Sequence, residues 1–339
     1  MISIARGPEP EALRSERRKR LSQAILDQEA GREIDYSGYE AAKEALVQAM
    51  HYKCAFCEKD LRMEGNPVDH FRPNAFVQNK GEPKDESRYW WLTWTWENLL
   101  FACDRCNTWH KRNQFPLEKG TTPLPKLSFD LKKESPLLID PARLNPREHI
   151  RFLWSSTRNK WIPTAIAGSK LGDETIRTLG LDEDDAAQRH AKKVEPCVKL
   201  IQARIDEGDV EKAQHTWGHI IESLFAEEQA FHALTWDILD HRFPEKIRNN
   251  FGFQMPTLGR HEHLPSAPIF VDPPEMDSLP EQLKLRVRAL GAAAPMDVAL
   301  AVLKDVLNLK AWSDEELARL FDREVSTIRN WRRTLIATP

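Results

Sequence analysis

The sequence predicts a mainly α protein with one small α+β insert, and three observations lead there. Apolar residues recur at helical spacing through residues 8–50, 171–243 and 281–339. Between the first two stretches the character changes to aromatics, turn formers and four of the five cysteines, Cys54, Cys57, Cys103 and Cys106. A proline-rich connector over 244–280, with Pro244, Pro256, Pro265, Pro268, Pro273, Pro274 and Pro280, sets the last helical stretch apart. The expected organisation is N-terminal helices over 1–50, the cysteine-bearing core over 51–125, a helical domain over 126–243, the linker over 244–280 and a C-terminal helical domain over 281–339.

Each element has its own signal. ALRSERRKRLSQAIL and YEAAKEALVQAM (Tyr39 to Met50) both carry helical periodicity, and Arg14, Arg17, Arg18, Lys19 and Arg20 of the first are expected to form a solvated basic face. SPLLIDPARLNPREHIRFLW suggests loops and one or two strands. LIQARI and HIIESLFAEEQAFHALTWDILDHRF are amphipathic; Pro196 should start or kink a helix, and Cys197 beside it reads as a small buried side chain. Near the C-terminus, Ser313 and Glu316 have the spacing of a capping box. A short turn through Asp322 and Arg323 leads to a second helix with Ser326 as its expected cap. Two short helices joined this way resemble a helix-turn-helix. Arg329, Arg332 and Arg333 on the second would be its DNA contacts. The opposing reading packs Leu317, Leu320, Ile328 and Trp331 as a core against a partner protein, with AAAPMDVALAVLKDVLNLKAW as an association surface.

Composition narrows the function classes. Of 339 residues, 41% are hydrophobic and 30% charged, the balance of a globular chain and not of a disordered one. No run approaches the roughly 18–20 apolar residues that span a bilayer. MISIARGPEPEALRSERRKR has no apolar run behind its basic residues, so a cytoplasmic address without a secretory signal is expected. In a reducing compartment, paired CxxC spacings favour metal over disulfide. The net charge is −3, and residues 51–120 hold 11 Lys plus Arg against 10 Asp plus Glu. Phosphate neutralisation supplies most non-specific affinity for DNA, so a chain acting on DNA with this charge needs help to reach it.

The two CxxC pairs together make a closed tetrathiolate zinc site, which staples and does not catalyse because no coordination position stays open. It would clamp the segment across the 45 residues between Cys57 and Cys103. A structural zinc contributes about 10–16 kcal/mol in small finger peptides, so losing one thiolate should unfold the insert. Inside the clamp lie Val68-Asp69-His70-Phe71-Arg72-Pro73 and Trp96-Glu97-Asn98-Leu99-Leu100, and Asn107 directly follows Cys106. A helix starting near Cys106 would present Asn107 at a fixed place, with His110 and Lys111 on its face. Asp69 and the amide oxygen of Asn107 are hard donors suited to Mg²⁺ or Mn²⁺. His70 points to the other side of the strand and can take a proton from water, while the metal offsets charge building on a phosphate. Tyr89, Trp90, Trp91, Trp94 and Trp96 could stack bases but are expected to fill the core.

The order CxxC, VDHFRP, ENLL, ACDRCN and FPL resembles an HNH endonuclease, the ββα-metal finger, in its zinc-stapled variety. Within that superfamily YWWLTWTWENLLFACDRCN, KRNQFPL, SPLLIDPARLNPREH and GDETIRTLGL resemble the HNH subunit of Septu-type anti-phage systems, a group also found with some retrons. The likeness runs from about residue 50 to 190. It implies His70 as general base, Asp69 and Asn107 as catalytic-metal ligands, and Asn98 as the residue whose amide fixes the backbone around His70. His110 falls near where some members place a second histidine. It further implies DNA as substrate and an ABC-type ATPase as partner. The competing expectation is a zinc-stapled adaptor for nucleic acid or protein whose nuclease centre is inactive.

Overall fold

The computed structural model describes residues 1–62, 68–259, 274–290 and 296–337. It is mainly helical with two small antiparallel sheets. The chain opens with α1 (Glu11–Glu29), a short turn of 3-10 helix and α2 (Lys43–Ala49). The insert follows, built on β1 (Val68–His70), β2 (Leu99–Phe101) and a seven-residue helix, Arg105–Lys111. Next come the hairpin β3 (Ile150–Ser155) and β4 (Lys160–Ala165), then α3 (Lys170–Leu179), α4 (Asp185–Asp206), α5 (Val210–Leu224), α6 (His232–Arg242) and α7 (Glu245–Phe251). The C-terminal part holds α8 (Glu281–Ala289), α9 (Met296–Leu309), α10 (Asp314–Phe321) and α11 (Val325–Ala337).

Three hydrophobic clusters organise these elements. The first joins α1 and α2 to the insert through Leu13, Leu46, Trp94 and Phe101, so the N-terminal helices and the cysteine-bearing segment share one interior. Tyr89, Trp90, Trp91, Trp94 and Trp96 all lie in it, each at most 4% exposed, and none is free to stack on a base. Their polar edges are tied inward: Trp91 donates to the Ser128 carbonyl, Trp94 to that of Ser37 and Trp96 to that of Gly7. The second cluster is the C-terminal helices alone, and the third packs α4–α7 with the β3–β4 hairpin. Arg147 and Arg151 both reach the buried Asp237 of α6, whose carboxylate also accepts from the Phe152 amide, fixing the hairpin onto the helices.

Several local expectations change. The basic face of α1 is solvated only in part: Arg18 and Lys19 are exposed, with Arg18 reaching Asp322 at 3.3 Å, but Arg17 is buried against Glu9 and Arg20 pairs with Glu16 and Asp35. Glu9, Asp35 and Asp322, all outside the helix, take positions that helical periodicity assigns to water. Pro196 neither starts nor ends a helix, since α4 runs through it, and Cys197 is only partly buried. Pro244 caps α7, a helix inside the stretch expected to be linker, while Pro265, Pro268 and Pro273 lie outside the described residues.

The capping box of Ser313 and Glu316 forms, but α11 begins at Val325, so Ser326 sits inside the helix and not at its cap. Leu317, Leu320, Ile328 and Trp331 form the core of the pair. The apolar face of α9 (Ala299, Val302, Leu303, Val306) is filled by its own neighbours and is not an open association surface. Arg329 and Arg332 both turn to Asp314, at 3.2 and 3.0 Å, while Arg333 is exposed.

Burial makes part of the stability acid-sensitive. His190 of α4 meets the Thr235 hydroxyl at 2.7 Å, and its pKa is pushed down to about 4 by burial. An unfolded histidine takes its proton near pH 6.5, so the stability its neutral form contributes is intact above that pH and lost as pH falls toward 4. His190→Gln, which can keep the bond to Thr235, is expected to remove about 1–2 kcal/mol of the loss between pH 7 and pH 5. Denaturant melts of both proteins at the two pH values measure it.

Candidate active site

The tetracysteine cluster forms as the spacing requires. The sulfur atoms of Cys54, Cys57, Cys103 and Cys106 all lie within 4.8 Å of one another, and all four residues are buried and free of disulfides. Cys57 Sγ and Cys103 Sγ are 3.8 Å apart. Tetrahedral coordination with Zn–S bonds of about 2.3 Å places sulfurs at about 3.8 Å, so the set fits zinc. Backbone amides aim at the sulfurs as they would at thiolates: Cys103 N–H donates to Cys54 Sγ and Cys106 N–H to Cys103 Sγ, both at 3.4 Å. The first knuckle is tied to β2 by the Ala55 amide, which donates to the Phe101 carbonyl at 2.8 Å.

From this anchor the chain builds a ββα arrangement. β1 pairs antiparallel with β2 in the register Val68 to Phe101, Asp69 to Leu100 and His70 to Leu99. The helix Arg105–Lys111 begins within the second knuckle and is wound as a π-helix, with the Arg112 amide donating to the Asn107 carbonyl five residues back. Such windings recur at functional sites because they shift which side chains share a face. Here the helix delivers Lys111 to β1. Its ammonium lies 2.9 Å from Asp69 Oδ1 and 2.7 Å from the His70 carbonyl, and both side chains are almost wholly buried.

His70 is fixed by its surroundings. Its Nε2 lies 2.9 Å from the Thr93 carbonyl oxygen, and Tyr39 packs edge-on to its ring at 4.5 Å. A carbonyl only accepts, so Nε2 carries the proton and Nδ1 keeps its lone pair. Burial lowers the pKa to about 3 against the opposing bond to Thr93, and the Lys111 charge adds to the lowering. The imidazole is neutral at pH 7, the form in which Nδ1 can accept a proton, and its pKa lies below the near-neutral value that suits a general base best.

Asn98 clamps the turn after His70. Its Oδ1 accepts from the Arg72 amide at 2.8 Å, and its Nδ2 donates to the Arg72 and Leu92 carbonyls at 3.0 and 3.2 Å. Arg72 is itself buried, paired with Glu134 at 2.5 Å, and Glu134 also accepts from the Tyr89 hydroxyl at 2.8 Å and the Leu124 amide at 3.0 Å. The loop is thereby tied to the aromatic interior.

Asn107 is half-buried, four residues before Lys111 on the same short helix. His110 has another setting: a Cβ added at Gly180 would lie 2.3 Å from its ring, and its Nε2 is 3.9 Å from Glu183. The ring rests on the turn that ends α3, where Arg105 also donates to the Gly180 carbonyl. Asp69, His70, Asn98 and the helix of Asn107 thus share one small unit, while His110 docks that unit to the next layer.

A second cation would meet a suitable donor. Asp69 Oδ2 is buried and, among the described residues, has no hydrogen-bond partner, because Lys111 takes the other oxygen. A carboxylate oxygen aimed at no proton donor fits a hard cation such as Mg²⁺ or Mn²⁺.

With this geometry in view, comparison with known proteins finds the chain 30% identical over 171 residues to Septu protein PtuB of Bacillus mycoides (strain KBAB4), covering 50% of this chain and 56% of that protein. A Septu protein PtuB of Bacillus thuringiensis is 30% identical over 154 residues, 45% of this chain and 46% of that one. The chain is similar to these two proteins over about half of its own length. It spans about half the length of the curated relatives it matches. No family model and no solved structure matches it. Among the described residues no helix is long and apolar enough to cross a membrane.

Two residues of the site escape the motif. Tyr39 and Thr93 reach His70 from 31 and 23 positions away and carry no local signal. Removing one thiol tests the anchor. Cys54→Ala is expected to lose bound zinc and soluble expression together, a loss of several kcal/mol on the scale of structural zinc sites. Soluble yield beside the parent protein, and metal analysis of whatever soluble variant is recovered, measure both.

Proposed function

We propose that this protein is a metal-dependent HNH DNA endonuclease, an effector of a bacterial anti-phage defence system that works with an ATPase partner. The observation that carries the reading is a buried, neutral His70 with its Nδ1 lone pair free, one residue from an Asp69 carboxylate that keeps one oxygen without a donor. An adaptor would need the four cysteines, but it would have no use for this pair. The likeness to Septu protein PtuB supports the defence assignment and the ATPase partner.

In the proposed reaction His70 Nδ1 takes a proton from the attacking water, and the hydroxide adds to phosphorus as the P–O3′ bond breaks. Asp69 and Asn107 would hold the divalent cation, which supplies charge stabilisation at the phosphate and at the leaving oxygen. Asn98 keeps the His70 turn rigid, a positioning role exerted through the Arg72 backbone. His110 holds the nuclease unit against α3. Because Arg329 and Arg332 are paired with Asp314, the C-terminal helices are read as a protein-docking element more readily than as a DNA reader.

The test is a plasmid nicking assay with Mg²⁺ or Mn²⁺, with and without the product of the adjacent gene. His70→Ala is expected to lose at least a hundredfold in cleavage, in keeping with the usual contribution of a general base, while zinc content and melting stay as in the parent protein. Undiminished cutting by that variant would remove His70 from the role, and no cutting by the parent protein in any of these conditions would favour the adaptor.

A further inference from the structure

We propose that Lys111 is a built-in counter-ion for Asp69 that disfavours divalent-cation binding until a phosphodiester is present, so that metal and DNA load onto the site together. This rests on the nuclease reading and adds to it the order in which the site fills. The ammonium of Lys111 touches Asp69 Oδ1 at 2.9 Å and the His70 carbonyl at 2.7 Å. Only 1% of the lysine side chain and 2% of the aspartate side chain are exposed, so neither charge is compensated by solvent.

The charge count then decides the behaviour. Asp69 contributes one negative charge, Lys111 cancels it, and the amide of Asn107 carries none. A divalent cation on Oδ2 would share a single carboxylate with an ammonium already bound to the other oxygen. Two cationic neighbours on one anion repel strongly where little water intervenes. A bridging phosphodiester supplies the missing negative charge and the oxygen ligands that Mg²⁺ and Mn²⁺ prefer.

Lys111 is not a mobile gate. Its stem is buried, its ammonium holds a second bond to the β1 backbone, and its helix starts from the second knuckle. It therefore stays in place while the occupancy of Oδ2 changes. By linkage, whatever factor DNA adds to metal affinity, metal adds to DNA affinity. A nuclease so wired holds little catalytic metal in the absence of DNA.

The experiment is a Mn²⁺ titration followed by electron paramagnetic resonance on the zinc-loaded full chain, alone and with a phosphorothioate DNA duplex. For the parent protein the duplex is expected to tighten Mn²⁺ binding at least tenfold. Lys111→Met should bind Mn²⁺ at least tenfold more tightly without DNA and lose most of the duplex effect, and Lys111→Arg should behave as the parent. Equal or weaker Mn²⁺ binding by Lys111→Met, with zinc content and melting retained, overturns the proposal.

Should that variant fail to fold, the reciprocal measurement on the parent protein decides: duplex affinity must rise with added Mn²⁺ by the factor that duplex adds to Mn²⁺ affinity, and a factor near one overturns it. Asp69→Asn separates this proposal from the reading beneath it. If Asp69→Asn abolishes Mn²⁺ binding while Lys111→Met leaves it unchanged, only the counter-ion role fails. If Asp69→Asn binds Mn²⁺ as the parent does, the nuclease centre itself is wrong.

Discussion

The convergence of Cys54, Cys57, Cys103 and Cys106 within one metal's reach is the constraint from which the rest of the insert follows. β1 and β2 are three residues each, far too short to pair stably by their own ladder. The second knuckle starts immediately after β2 and continues into the helix of Asn107 and Lys111, while the first is bonded to the end of β2 through Ala55. Closing the cluster therefore sets the strand register and the start of the helix in a single step. A side chain such as His70 on so small a sheet has little other source of positional precision.

Precision is then transmitted inward by buried charges. Arg72–Glu134 and Lys111–Asp69 each join segments more than 40 residues apart, and Arg147 and Arg151 reach across to Asp237 in the next layer. Desolvation makes such pairs poor sources of net stability, but removing one member typically costs about 3–5 kcal/mol because the other is left buried alone. They act against misregister: a strand shifted by one residue would strand Asp69 without its ammonium and Arg72 without its carboxylate. Buried aromatics between the knuckles, Phe71 and Phe101 as well as Tyr89 and the four tryptophans, supply the apolar mass, and the ion pairs decide how it is arranged.

What was legible in the sequence was what repeats or what needs a rare residue. Two CxxC pairs, the Ser313–Glu316 box and helical periodicity carry their meaning locally, and each is realised in the structure. The size and spacing of the tryptophans sufficed to place them inside. Partnerships made across the chain were not legible. Arg18 and Arg20 read as part of a solvated face because nothing in the helix pattern reveals Asp322 and Asp35 as their partners. Lys111 could be placed on the face of Asn107, yet its contact with Asp69 depends on a π-winding that no local propensity announces. His110 looked like a site residue because it lies three positions from Asn107, and only the packing of Gly180 under its ring shows its other use.

Charge ties the parts of the functional reading together. Residues 51–120 carry nearly equal numbers of acids and bases, the arginines of α1 are engaged internally, and two of the three arginines on α11 face Asp314. Long-range attraction to a phosphate backbone scales with uncompensated positive charge, so this surface offers DNA little of it. With Lys111 paired to Asp69, the proposed site would compound the effect, since neither cation nor substrate would be held firmly without the other. On the proposed function, cutting therefore waits on a partner able to raise the local concentration of DNA at the site. That dependence is a physical reason for such a nuclease to be coupled to an ATPase, and it follows from where the chain has placed its cations more than from any single catalytic residue.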